Sequence, residues 1–300
     1  PSAPFLVALE RGHFKAEGLE VTLEASSGAL EPIARVASGA YDIGFGDINA
    51  LIRYRDQNPN APVQAVFVVN NRPNYAIIGR KSRGVEAVRD LVGKKLGAPV
   101  ADPASAAWPI LAHLRDVDLS KVTVIDVGLP VREPMLAAGE VAAIPGSSPS
   151  SPINLRAKGV PADDIVVLLM AERGLELYGG TIFVNTRALS EKPEAVRAFL
   201  SAFVRGLKDT LRDPAAAVES VVRRNNTAAR DVELERLRVA IRDSVVTPEV
   251  IANGLGGIDP DRFARALDQI GLVYSYKNRP KPEDIFDPSF LPPESERKLD

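Results

Sequence analysis

An α/β fold in two lobes is what this 300-residue chain predicts, and three observations predict it. Strand-like runs alternate with helical stretches from Leu19 to Met170, the spacing of parallel α/β units. The pattern halts at Asn70-Asn71-Arg72-Pro73-Asn74 and then restarts, which separates one lobe from the next. From Thr181 onward amphipathic helices dominate, so the order is α/β, α/β, then helices.

Leu19-Glu20-Val21-Thr22-Leu23-Glu24 alternates with period two and predicts a strand with one exposed face. Ser26-Ser27-Gly28 then opens a helix that ends at Ser38-Gly39. Tyr41 to Phe45 predicts a strand, Ile48 to Gln57 a helix, and Val63 to Val69 a strand apolar enough for burial on both faces. After the break, strands are expected at 75–79, 95–98, 122–127, 141–144 and 165–170. Helices are expected at 85–92, near 105–115, and at 131–138. Val196, Phe199, Leu200, Phe203, Val204, Leu207 and Leu211 recur at helical spacing and predict a long amphipathic helix. Two further helices are expected around 234–245 and 263–270, followed by an irregular tail from Lys277.

The hydrophobic share of 45% and charged share of 25% are those of a globular protein with enough chain for two cores. A net charge of −2 offers nothing to nucleic acid or an acidic membrane surface. No run of eighteen apolar residues exists to span a bilayer, and Pro1-Ser2-Ala3-Pro4 leads straight into amphipathic sequence, which does not read as a secretory signal. Cysteine is absent, which excludes disulfides, thiolate metal sites and thiol nucleophiles.

Catalytic constellations are scarce. His13 and His113 lie a hundred residues apart without a third group to orient either, and each reads as a surface or satisfied core histidine. No metal-ligand spacing occurs. Gly44-Phe45-Gly46-Asp47 follows a strand and opens a helix, but the third glycine of a dinucleotide fingerprint is replaced by Asn49. What remains is a set of strand-to-helix junctions bearing small polar residues: Ser27 and Gly28, Asp47, and Ser105. In α/β sheets such junctions gather where ligands bind. Plain N-capping is the favoured reading of each of the three side chains taken singly, and the two roles can coexist.

The segment Gly146-Ser147-Ser148-Pro149-Ser150-Ser151-Pro152 has the composition of a flexible linker, yet it lies between a strand and a helix. It reads as a boundary or as a loop held at a working site.

The ordered motifs settle that choice by resemblance. Pro4-Phe5-Leu6-Val7-Ala8-Leu9-Glu10-Arg11-Gly12-His13-Phe14-Lys15-Ala16-Glu17-Gly18-Leu19-Glu20-Val21 resembles the opening of the nitrate/sulfonate/taurine-type solute-binding proteins of ABC importers, a family that includes binders of thiamine-pyrimidine precursors. Ser38-Gly39-Ala40-Tyr41-Asp42-Ile43-Gly44, Asp90-Leu91-Val92-Gly93-Lys94-Lys95-Leu96-Gly97 and Met135-Leu136-Ala137-Ala138-Gly139-Glu140-Val141 are similar to further family signatures. The likeness covers nearly the whole chain. It departs where the family's "DA" becomes Ala142-Ala143, and where an often aromatic loop becomes the Ser/Pro segment. The family's first strand would precede Pro1, so the sequence is expected to begin late; the missing signal peptide has the same cause or reflects processing.

The resemblance implies a two-lobed type II periplasmic-binding-protein fold with a ligand cleft between lobes. Residues 1–75 and 181–300 would form lobe 1 and residues 76–180 lobe 2, with crossings near 72–80 and 172–181. The Ser/Pro segment then lies inside the second lobe. Ligand contacts are expected from Ser2, Ser27, Gly28, Asp47, Asn71 and Arg72, and from Ser105, Trp108, Ser147 and Ser148. Trp108 is the only tryptophan, and Pro109 is expected in the first turn of its helix. Stacking on a planar ligand and packing in the core are both open to it. A carboxylate at Asp47 repels a nitrate or sulfonate and suits an amine or aminopyrimidine, which favours a nitrogen-bearing or aromatic solute; an organosulfonate is the other class.

The expected partner is a membrane permease, the expected state a periplasmic monomer, and no cofactor is implied. The alternatives are a cysteine-independent enzyme of the same fold, related to thiamine-pyrimidine synthases, and the ligand-sensing domain of a regulator, for which no basic helix-turn-helix is present.

Overall fold

The computed structural model describes residues 2–299. Among them run eight strands: β1 (Ile43–Asp47), β2 (Val63–Val68), β3 (Tyr75–Arg80), β4 (Lys95–Gly97), β5 (Thr123–Ile125), β6 (Ala143–Ser147), β7 (Ile165–Leu169) and β8 (Gly180–Asn185). The helices of the first half are α1 (Ala3–Glu10), α2 (His13–Ala16), α3 (Glu31–Ala37), α4 (Ile48–Gln57), α5 (Pro103–Leu114), α6 (Arg132–Ala138) and α7 (Ser151–Ala157). Those of the second half are α8 (Thr186–Glu191), α9 (Pro193–Arg212), α10 (Pro214–Arg224), α11 (Arg230–Ala240), α12 (Pro248–Asn253) and α13 (Pro260–Gly271), with two single-turn helices, α14 (Pro282–Ile285) and α15 (Glu294–Arg297), in the tail expected to be irregular. The chain divides into two compact units. Unit 1 holds the chain up to Asn71, Tyr178–Pro260 and the chain from Lys277; unit 2 holds Arg72–Leu177 and Asp261–Tyr276.

Unit 1 has a three-stranded sheet in the order β1-β8-β2, with the return strand β8 antiparallel to both neighbours. β1 and β2 therefore run the same way, and both end at the sheet edge where β8 begins, with Asp47 opposite Gly180 and Val68 opposite Thr181. α9 starts at Pro193, whose missing N–H costs nothing in a first turn, and buries Val196, Phe199, Leu200, Phe203, Val204 and Leu207. Phe203 meets Phe5 of α1 with ring centroids 4.4 Å apart, and Phe199 stacks on Phe14 at 5.0 Å. This aromatic group is the centre of the unit's core. The tail covers the outer edge of β2, where Asp287 donates its N–H to the Ala65 carbonyl at 2.9 Å.

Unit 2 has a five-stranded mixed sheet in the order β5-β4-β6-β3-β7. β4 is parallel to β5 and β6, whereas β3 is antiparallel to β6 and β7. The all-parallel sheets expected from the alternation are thus corrected: strands entering a unit from the other one arrive without a crossover helix, and they pair antiparallel. Its core is built from Ala76, Ile78, Leu136, Val141, Ile144, Leu155 and Val160.

A second correction concerns Leu19 to Glu24. The period-two pattern is real, since Leu19, Val21 and Leu23 are half-buried against the unit 1 core while Glu20, Thr22 and Glu24 are exposed. No ladder forms, because no described strand lies alongside to exchange backbone hydrogen bonds; instead the Arg224 guanidinium donates to the Leu23 carbonyl at 2.5 Å.

Candidate functional site

Two groups of polar side chains stand out, one in each unit. In unit 1 the group gathers at the edge where β1 and β2 end. Asp47 closes β1 in extended conformation and caps α4, its Oδ1 accepting the Asn49 and Ala50 N–H groups at 2.8 and 2.9 Å. Asn49, buried behind the cap, donates its amide to the Tyr178 carbonyl at 2.8 Å. Tyr178 donates its hydroxyl to Glu249 Oε1 at 2.8 Å, and the Asn71 amide reaches the same oxygen at 2.9 Å. Thr247 caps α12 and donates its hydroxyl to Asn71 Oδ1 at 2.8 Å. A hydrogen-bonded path therefore joins two of the sequence-predicted residues, Asp47 and Asn71, through Asn49, Tyr178 and Glu249. Sequence reasoning missed these three and Thr247. For Thr247 a signal existed, since threonine before Pro248-Glu249 has the form of a helix start. Nothing local singles out Tyr178 or Glu249.

In unit 2 the parallel strands β4, β5 and β6 end at a common edge. α5 starts there, capped by Asp102, whose Oδ1 accepts the Ala104 N–H at 3.2 Å. The Arg132 guanidinium ion-pairs with the Asp102 carboxylate, donates through Nε to Glu133 at 3.1 Å and reaches the Pro145 carbonyl at 3.4 Å. Glu133, only 5% exposed, accepts the hydroxyl of the fully buried Ser151 at 2.8 Å. Burial pushes the Asp102 carboxyl above its usual value, against the pull of the Arg132 charge and the Ala104 N–H. One guanidinium thus serves two carboxylates, and the network ties β6, α5, α6 and α7 together.

The Ser/Pro segment is part of this frame. Ser147 ends β6 opposite Tyr75, the Ser148 N–H donates to the Asn74 carbonyl at 3.0 Å, and α7 begins at Ser151. It is a strand-to-helix turn inside unit 2. Gly146 admits Ser151 beside it: a Cβ there would stand 2.5 Å from the Ser151 hydroxyl.

Ser105 and Trp108 share one face of α5, three residues apart. Ser105 lies inside the helix, since Asp102 is the cap, and Pro109 lies in the second turn rather than the first. The helix starts earlier than its apolar pattern indicates, because Pro103 after Asp102 makes a favourable first position. Pro109 has no N–H to give the Ser105 carbonyl. Among the described residues, the buried Ser105 hydroxyl and the Trp108 indole N–H, on a side chain 2% exposed, have no hydrogen-bond partner.

The remaining sequence-predicted residues are more peripheral. Ser2 is exposed at the start of α1 and makes no side-chain cap. Ser27 does not cap α3 either; its N–H and hydroxyl both donate to Glu31, at 2.5 and 2.8 Å, beside an exposed Gly28 with φ +67°. Arg72 is half-buried as the first residue of unit 2. His13 Nε2 stands 2.8 Å from Asp209 on α9, and His113 is exposed. Among the described residues no three acidic or histidine side chains group as a metal site, and no helix is long and apolar enough to cross a membrane.

A sequence model of the family described as NMT1/THI5 like matches residues 1–217. The chain is 28% identical over 221 residues to the riboflavin-binding protein RibY of Chloroflexus aurantiacus, covering 72% of this chain and 61% of that one. It is 26% identical over 229 residues to a 4-amino-5-hydroxymethyl-2-methylpyrimidine phosphate synthase of Aspergillus parasiticus, covering 73% of this chain and 66% of the relative. The chain therefore spans somewhat less than two thirds of these relatives. The crystal structure of the periplasmic aliphatic sulphonate-binding protein SsuA from Escherichia coli superposes with a TM-score of 0.73 at 13% identity, over 100% of this chain and 89% of that one. That match shows the periplasmic-binding-protein fold.

Proposed function

The chain belongs to the NMT1/THI5-like family, and from that premise we propose that it is the solute-binding component of an ABC importer, specific for a small nitrogen-bearing heteroaromatic solute. One observation carries the choice of solute. In both units the helix that starts at the sheet edge already holds an aspartate at its N-terminus: Asp47 on α4 and Asp102 on α5. The N–H groups and helix dipole that would bind a sulfonate or nitrate are thus occupied by the chain's own carboxylates. A ring bearing N–H or NH₂ groups is attracted where an anion is repelled. The unpartnered indole N–H of Trp108 and hydroxyl of Ser105 add hydrogen-bonding groups suited to ring nitrogens and carbonyls. The riboflavin- and pyrimidine-named relatives support the same class.

On this reading the protein acts as a monomer in the periplasm, delivers its solute to a membrane permease and needs no cofactor. Ser2, Ser27, Gly28, Asp47, Asn71, Arg72, Ser105, Trp108, Ser147 and Ser148 remain the proposed contacts. The synthase-named relative favours a second reading, an enzyme of the same fold. Against it, the chain has no cysteine, His13 is held on the Asp209 carboxylate of α9, and His113 is exposed.

Thermal shift against flavins, aminopyrimidines, alkanesulfonates and nitrate tests the proposal. A ligand at a hundred times its dissociation constant adds roughly 2.7 kcal/mol. The expected result is a rise with a heteroaromatic compound, weakened in Asp47→Ala and Trp108→Ala, and none with the anions. A rise with sulfonates alone overturns the solute class, and turnover of any compound brings back the enzyme.

A further inference from the structure

The chain passes between the units at four places: after Asn71, before Tyr178, after Pro260 and before Lys277. The unit 1 ends of two of these connections meet on one side chain, and a third is joined to it through one of them. Asn71, 2% exposed, gives its amide to Glu249 Oε1 at 2.9 Å. Tyr178, fully buried, gives its hydroxyl to the same oxygen at 2.8 Å. Asp259, next to Pro260, gives its backbone N–H to the Tyr178 hydroxyl, again at 2.8 Å. The fourth connection is held elsewhere, by Lys277 and Asn278 N–H groups on Asp56 Oδ1 at 2.9 and 2.6 Å. All these bonds lie inside unit 1.

We propose that Glu249 is the positioning residue that couples the three connections, so that their backbones loosen together or not at all. The chemistry suits this. A carboxylate oxygen accepts stronger hydrogen bonds than a neutral one, and here it takes two. The Tyr178 hydroxyl donates to the carboxylate while accepting from Asp259, so each bond strengthens the other. Glu249 itself sits on α12, whose start is fixed by Thr247, and Thr247 also holds Asn71. Two segments distant in sequence, near residues 71 and 178, therefore share one acceptor on one short helix, and a third, near residue 259, is tied to it through the Tyr178 hydroxyl. Conformational changes of multi-unit proteins concentrate in a few residues at such connections. Here those residues are bonded to one another before any ligand is considered, so the coupling does not rest on the solute class proposed above.

Hydrogen exchange on the full chain, read by mass spectrometry, tests this. In Glu249→Ala, exchange over residues 69–73, 176–180 and 257–261 is expected to rise together by about tenfold or more, the scale of a lost charge-assisted hydrogen bond. Segments over α9 and the unit 2 sheet stay at wild-type rates. Glu249→Gln retains an acceptor oxygen and is expected to keep all three segments closer to wild type than to the alanine variant. Tyr178→Phe removes only the hydroxyl, and frees residues 176–180 and 257–261 while Asn71 remains protected by Glu249. The proposal is overturned by a rise in only one segment, by no rise, by a uniform rise that includes α9, or by a glutamine variant as loose as alanine.

Discussion

At the residue scale, Arg132 is the most consequential side chain of unit 2, because it alone offsets two carboxylates at the edge where α5 starts. Replacing it by leucine leaves Asp102 and Glu133 without their cation. Removing one partner of a buried pair costs roughly 3–5 kcal/mol at neutral pH. The pH dependence has a definite sign. The Asp102 carboxyl is raised in the folded protein by burial, above the 3.8 of an unperturbed aspartate, so the fold binds more protons than the unfolded chain. Its contribution is therefore fully present below about pH 4 and is lost as pH rises through the folded value. Arg132→Leu removes the charge that opposes this shift, so the variant is expected to recover part of its lost stability at low pH. Urea unfolding at pH 4 and pH 7 measures it; a deficit that is larger at pH 4 sinks this account. Asp164 works in the opposite direction. The Ser82 N–H, helped by Arg80, holds its carboxyl at about 2, so its contribution is lost only as pH falls from near 4 toward 2.

At the element scale, the packing of α1 on α9 turns on a missing side chain. A Cβ on Gly206 would stand 2.6 Å from the Pro4 carbonyl oxygen and 2.6 Å from the Ala8 Cβ. These are parts of a neighbouring helix, which must move as a body to make room. Gly206→Ala would gain helix propensity in isolation but is expected to destabilise the protein by about 1–3 kcal/mol through overpacking. A denaturation midpoint at or above wild type would contradict the close approach. α9 itself is legible in the sequence, because its apolar positions recur at helical spacing over twenty residues. α5 is less so. Its apolar residues locate the helix, but its start rests on the short-range competition of Asp102, Pro103 and Pro109, and Pro109 falls a turn later than those apolar residues indicate. Leu19 to Glu24 shows the reverse case: alternation gives the right buried face, but a strand exists only where another strand accepts its hydrogen bonds.

At the scale of the whole molecule, each unit has a separate hydrophobic core, and the only tryptophan, Trp108, belongs to unit 2. Its emission therefore reports that unit, whereas far-UV circular dichroism is weighted toward the helices of unit 1. In Gly206→Ala the dichroism midpoint in urea is expected to fall further than the tryptophan midpoint, since the strain lies in unit 1. Equal shifts of both probes would show that the two cores unfold as one.

By itself the sequence determined the alternation of strands and helices, the long amphipathic helix and the family motifs. These are written in local periodicity and short ordered strings, which need no knowledge of what lies alongside. Only the tertiary structure decided that β8 runs back between β1 and β2, that Asp102 and not Ser105 caps α5, and that Arg132, Glu133 and Ser151 form one buried network. It alone brought Glu249 to Asn71 and Tyr178, which are separated from it by 178 and 71 positions. Such meetings depend on where distant segments are carried by the packing of the core, and a half-buried carboxylate takes its partners from whatever arrives beside it.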